Sequence, residues 1–144
     1  MFRALGFTLL VLSIALLPAC ETAQKQMGDL GMTTPQLTKD LAKNLGITET
    51  QATGGVGALL EQASGKLSAT DLDSMKKSVP GVDQYMKASQ SMLGGMKLSD
   101  VGGVQGAFQK LGLQPEMVAQ FKPYVLDYVG KYSPGVKTAL AAVL

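Results

Sequence analysis

The sequence predicts an all-α fold, a small bundle of six to seven short helices. Two observations predict it. Gly and Pro punctuate residues 33–144 at short intervals, and the stretches between them repeat their apolar residues with a period near 3.6. Capping residues then mark the starts of several of these stretches. The chain divides into 1–19, a leader, 20–32, a tether, and 33–144, the helical domain.

Taking the elements in order, the first helix is expected over Thr34 to Leu45. Thr33 or Thr34 caps it, Pro35 suits its first turn, and Leu37, Leu41 and Leu45 form one stripe. Gly46 stops it in a left-handed conformation, and Ile47 packs back. Thr48 opens the second helix, with Gln51 three residues on completing a capping box. Ala52, Val56, Leu59, Leu60, Ala63 and Leu67 share one of its faces. Gly54 and Ala58 fall on the other side, where small residues would let a second neighbour approach the backbone.

Ser68 with Asp71 caps the third helix, in which Leu72, Met75 and Val79 align, and Pro80-Gly81 breaks it. The fourth carries Val82, Tyr85, Met86 and Leu93 inward and stops at Gly94-Gly95. Ser99 or Asp100 is expected to cap the fifth, with Val101, Val104, Phe108 and Leu111 inward and Gly112 as its stop. Pro115 is expected to start the sixth, whose apolar arc includes Phe121, Val125, Val129 and the tyrosines 124, 128 and 132. Pro123 lies opposite that arc, where a kink is expected in place of a break. Pro134 starts the last helix, with Val136, Leu140, Val143 and Leu144. A short internal echo accompanies this order: Leu45-Gly46-Ile47-Thr48 corresponds to Leu111-Gly112-Leu113-Gln114 at a shift of 66. Duplication and convergent capping chemistry explain it equally well.

The first twenty residues have a different character. Arg3 is a positive start, and Ala4 to Leu17 is an apolar run of 14 residues. That is the length of a signal-peptide core and short of the about 17–25 residues that span a bilayer. Leu17-Pro18-Ala19-Cys20 resembles a bacterial lipobox, with Leu at −3, a small residue at −1 and the chain's single Cys at +1. Pro at −2 departs from the usual pattern. The resemblance implies diacylglyceryl attachment at Cys20, with palmitate among the acyl chains, cleavage before it, and N-acylation in many Gram-negatives. Two or three acyl chains anchor stably where one does not. Ordinary cleavage after Ala19 would instead release a soluble protein, and an uncleaved leader would itself be an anchor. The placement of the only Cys favours the lipoprotein. Glu21 at +2 is not the Asp that resembles an inner-membrane retention signal, so the outer membrane is favoured, with the domain facing the periplasm. Glu21 to Met32 reads as a leash that spans at most about 40 Å extended and about 20 Å as a coil.

The composition narrows function mainly by exclusion. The chain has no His, which removes the commonest general base, the commonest metal ligand and the Ser/His and Cys/His nucleophile pairs. One Cys forms no internal disulfide or thiolate cluster. Net charge is +2, and Lys and acidic residues are interspersed along the chain, which is not the footprint of a nucleic-acid binder. Gly54-Gly55-Val56-Gly57 is not a phosphate loop, because Gly65-Lys66 is followed by Leu67 and not by Ser or Thr. Tyr124, Tyr128 and Tyr132 form a ladder that reads as core packing with hydroxyls at the rim, or as a stacking surface for sugar rings or a membrane interface. Met75, Met86, Met92, Met96 and Met117 fill a core or line an adaptable apolar groove. With no His beside them, they make a poor copper site. The acids read as solvated faces.

Leu45-Gly46-Ile47-Thr48, Gln51-Ala52, the run from Gly54 to Leu60, Val79-Pro80-Gly81-Val82-Asp83, and Ala107-Phe108 with Leu111-Gly112 and Pro115 to Val118 together resemble the VcgC/VcgE family of bacterial domains of unknown function. The similarity covers roughly 35 to 144. It implies a helical fold and an envelope setting, and it transfers no catalytic residue. The expected molecule is therefore a lipid-anchored envelope module that is not an enzyme and uses no cofactor or metal. It binds the membrane through Cys20 and engages an envelope protein or an apolar ligand; the alternative is a periplasmic carrier of a hydrophobic small molecule. Cys20→Ser is expected to abolish incorporation of labelled fatty acid in growing cells and to leave the leader uncleaved. Equal labelling of both proteins would remove the anchor.

Overall fold

The computed structural model describes residues 36–144. The leader, Cys20 and the tether lie outside the described residues. The described chain is all helical: α1 (Gln36–Leu45), α2 (Glu49–Ser64), α3 (Ala69–Ser78), α4 (Val82–Met92), a 3-10 turn (Leu98–Val101), α5 (Gly103–Lys110), α6 (Met117–Tyr132) and α7 (Pro134–Val143).

The start and stop residues act as local chemistry requires. At the end of α1, Gly46 is left-handed (φ 65°) and Ile47 N–H donates to the Ala42 carbonyl at 3.1 Å. At the end of α5, Gly112 (φ 74°) and Leu113 N–H to the Phe108 carbonyl at 2.8 Å repeat the arrangement. Both are Schellman stops, in which a left-handed residue turns the chain so that the next amide reaches a free carbonyl. The internal echo is thus the same capping structure used twice. At α2, the Thr48 hydroxyl accepts from Gln51 N–H and the Gln51 amide oxygen accepts from Thr48 N–H, each at 3.1 Å. The Gln51 amide also donates to the Leu111 carbonyl at 3.0 Å, so the cap of one hairpin ties down the stop of the other.

The second helix departs from the amphipathic expectation. All nine residues from Ala52 to Leu60 are buried, on every face. One side presents Val56, Leu59, Leu60 and Ala63 as expected. The remainder is glycine and alanine, and helices close in there. A Cβ on Gly57 would overlap the carbonyl oxygen of Tyr85 and meet Ser89 Cβ at 2.7 Å, so α4 rests directly on the α2 backbone. A Cβ on Gly55 would meet the Phe121 ring at 2.5 Å, and one on Gly54 would meet Leu111 and Met92 side-chain ends at 2.8 and 2.9 Å. The second neighbour expected at Gly54 and Ala58 is real, and Gly55 and Gly57 admit two more contacts.

Around this axis α1 contributes Leu37 and Leu41, α4 contributes Val82 and Tyr85, and α6 contributes Phe121, Val125 and Val129, all buried. Phe108 of α5 meets Phe121 edge to face at 4.9 Å, a favoured aromatic geometry. Met75 and Val79 carry α3 into the core, and Val136 and Leu140 do so for α7.

Two helix starts differ from expectation. Ser99 or Asp100 does not cap α5. Residues 98–101 form a separate 3-10 turn, and Gly102, which precedes α5, and Gly103, its first residue, are both left-handed (φ 84° and 75°). Gly106 permits this doubling-back, because a Cβ there would overlap the Val101 carbonyl. Pro115 does not start α6 as an α-helix. Met117, Val118 and Ala119 donate to Gln114, Pro115 and Glu116 in a tighter three-residue pattern, and α6 proper begins at Met117. Helix α6 then runs through Pro123 without a break. Pro123 is exposed, as is Ala119, whose carbonyl loses its helical donor there and is free to meet water.

The backbone contact at Gly57 predicts an ordering of substitutions. Gly57→Ala should cost about 3 kcal/mol or more, because backbone and not a rotatable side chain must move. Gly54→Ala should cost less, since Leu111 and Met92 can shift. Gly65→Ala, with its nearest atom at 3.6 Å and an ordinary helical φ of −74°, should be neutral or stabilise by about 0.5–1 kcal/mol. Chemical denaturation of the three variants checks the order.

Candidate functional site: a tyrosine-lined groove

A groove of about 530 Å³ opens on one side of the bundle, between the start of α1, the second half of α6 and the start of α7. Helical spacing builds it. On α6, Phe121, Val125 and Val129 take the inward stripe, and Tyr124, Tyr128 and Tyr132 follow one step round the same helix. The tyrosines therefore flank the core without entering it. Tyr124 and Tyr128 are half-buried and Tyr132 is 48% exposed.

The rings are braced. The Tyr128 hydroxyl donates to the Pro80 carbonyl at 3.1 Å, in the turn between α3 and α4. The Tyr132 ring packs edge to face on Tyr128 with centroids 5.3 Å apart. Burial, then the nearby Tyr132 phenol, push the Tyr128 hydroxyl above the usual tyrosine range. Tyr85 of α4 is fully buried, with the Thr38 hydroxyl against its own and the Tyr128 and Tyr132 phenols in its electrostatic range. Desolvation raises the Tyr85 hydroxyl well above its ordinary value, the neighbouring phenols add to this, and Thr38 partly offsets it.

Polar groups complete the lining. Gln36 and Asp40 come from α1, with the Gln36 amide donating to Asp40 at 2.9 Å. Asp127 and Lys131 come from α6 and Lys137 from α7, with Lys137 and Asp127 paired at 3.0 Å. Sequence reasoning placed the tyrosines on one face but missed Asp40, Asp127 and the two lysines as a group. They stand on three helices, and no local pattern connects them.

The other candidates are dispersed. Met75 is in the core, Met86 and Met92 are half-buried on α4, Met117 is half-buried at the start of α6, and Met96 is exposed in the loop after α4. Asp71 sits at the cap of α3 with Ser68, whereas Asp73 pairs with Lys77 at 2.7 Å. Cys20 lies outside the described residues. Among the described residues no three His, Cys, Asp or Glu side chains are grouped to hold a metal ion, and no helix is long and apolar enough to cross a membrane.

The sequence pattern of the family described as protein of unknown function VcgC/VcgE (DUF2780) matches residues 17–144. The chain belongs to this family. The match begins well before the span of similarity read from the motifs, and it takes in Cys20 and the residues that precede α1. No curated protein and no solved structure is significantly similar to the chain. In this VcgC/VcgE chain the motifs that carry the resemblance hold the caps, the stops and the small-residue faces of α2, whereas the groove is lined mainly by residues outside them.

The buried phenol gives a pH prediction. A tyrosine raised in the folded state holds its proton more tightly there than in the unfolded chain. Its contribution is whole below the unfolded value of about 10 and is lost as pH rises beyond it. The melting temperature of the wild type should therefore fall more steeply above about pH 10 than that of Tyr85→Phe. Parallel profiles would show that burial of Tyr85 does not govern alkaline stability.

Proposed function

We propose that the protein is a binding module of the bacterial cell envelope, held to a membrane leaflet through lipid on Cys20, and that the tyrosine-lined groove is its binding surface. One observation carries this reading: the groove joins braced aromatic rings to exposed polar side chains from three helices. Its volume lies within the about 300–1,000 Å³ usual for small-ligand sites. Gln36, the first residue of α1, is part of its lip, so the tether of a lipidated chain would deliver the groove close to the leaflet.

Binding suits these side chains better than catalysis. The Asp127 side chain is 73% exposed and engaged by Lys137, and Asp40 is engaged by Gln36. The carrier alternative draws less support, because it needs an enclosed space lined by Met and Leu, and the groove is open and lined by Tyr, Asp and Lys.

Photo-crosslinking in living cells tests the proposal. Lys131 at the groove and Met96 away from it are each replaced by p-benzoylphenylalanine, which inserts into C–H bonds of whatever is bound. Adducts are expected at position 131 and not at 96, with a lower yield in Cys20→Ser. No adduct at 131, or equal adducts at both positions, would overturn the binding surface.

A further inference from the structure

The chemistry of the groove narrows what it binds, given the reading of the groove as a binding surface. Tyr124, Tyr128 and Tyr132 recur every fourth residue, so their positions step by about 6 Å along α6. All three line the groove. Tyr128 is held by Pro80 and Tyr132 is propped on it with the two rings inclined at 64°, so this pair needs little ordering when a ligand arrives. Gln36 and Asp40 supply hydrogen-bond donors and acceptors beside it.

Three ligand classes fit poorly. The lining holds two acids, Asp40 and Asp127, and two lysines, Lys131 and Lys137, so it selects neither a strong anion nor a strong cation. A fatty chain would strip water from those groups and return no hydrogen bonds, which costs free energy. An extended peptide docks on an unpaired strand edge, and a helical one needs an unbroken apolar trough. The walls here are helices, which offer no strand edge, and polar side chains interrupt the apolar lining.

A ligand with an apolar face, many uncharged hydroxyls and no formal charge meets every one of these conditions. We infer that the groove binds a neutral saccharide, with the C–H face of a sugar ring stacked on the exposed Tyr132 ring and its hydroxyls paired with Gln36 and Asp40. A glycolipid headgroup and a soluble or cell-wall glycan share this chemistry.

Tyrosine emission gives a direct readout, because the chain has four Tyr and no Trp, and three of the four line the groove. The domain, carrying Cys20→Ser and produced without its leader, is titrated with cellotetraose, maltotetraose and chitotetraose, and with vesicles bearing a neutral glycolipid. A saturable change is expected with at least one of them. Binding to vesicles alone assigns the headgroup, and binding to free sugars assigns a glycan. Tyr132→Ala, a half-exposed position whose folding is checked by circular dichroism, should weaken binding by about tenfold or more. Met96→Ala should leave it unchanged. In cells, the adducts at position 131 should be cleaved by periodate, which breaks the C–C bond between vicinal hydroxyls. If none of the probes binds and the adducts resist periodate but yield to protease, the saccharide assignment fails while the binding surface stands. If position 131 forms no adduct, both fail. If sugars bind equally to wild type and Tyr132→Ala, the site is elsewhere and the assignment falls.

Discussion

The fold depends on an absence. At Gly57 there is no side chain, and the Tyr85 carbonyl occupies the space where one would stand. Helix α4 can therefore lie on the α2 backbone, and two helices whose axes would otherwise be spread by side chains come to close range. Everything else is arranged about that contact. With α2 and α4 locked, Tyr85 is fixed beneath α6, and Gly55 gives room to Phe121 on another side. The arrangement carries a cost, because glycine in a helix interior gives up more conformational freedom on folding than any other residue. Dispersion contacts from a fully enclosed segment offset it. A small domain with no disulfide among its described residues gains by packing one helix on every face.

The groove is a consequence of the same geometry. Because α6 gives Phe121, Val125 and Val129 to the core, its tyrosines are turned one step away, toward α1 and α7. Tyr128 reaches the turn between α3 and α4 and ties the groove wall to the α2–α4 pair through Pro80. The groove wall is thus tied to the closely packed α2–α4 pair, which keeps low the ordering cost of any contact made there.

The parts of this structure that were legible in the sequence are those set by a few neighbouring residues. Thr48 with Gln51, Ser68 with Asp71, and the glycine stops at Gly46 and Gly112 act within four or five positions, and local spacing reveals them. The apolar stripes of α1, α6 and α7 were legible for the same reason. The full burial of α2 was not, because glycine reads as neutral in a periodic pattern and only the arriving Tyr85 carbonyl and Phe121 ring give Gly57 and Gly55 their meaning. The turn at 98–101 was hidden likewise: Ser99 and Asp100 look like a cap, and it is Gly102, Gly103 and Gly106 acting together that redirect the chain. The tyrosine ladder was visible as a pattern on one helix. Its polar companions were not, since Asp40, Asp127 and Lys137 meet only after α1, α6 and α7 have packed.

Native-state hydrogen exchange reads the enclosure of α2 without altering a residue, because amides of a helix enclosed on every side exchange only when the whole domain opens. Amides from Ala52 to Leu60 are expected to share the highest protection in the protein, equal to the global unfolding free energy, while α7 and the loop at Gly94-Gly95 exchange through smaller openings. Protection of 52–60 no greater than that of α7 would contradict that enclosure.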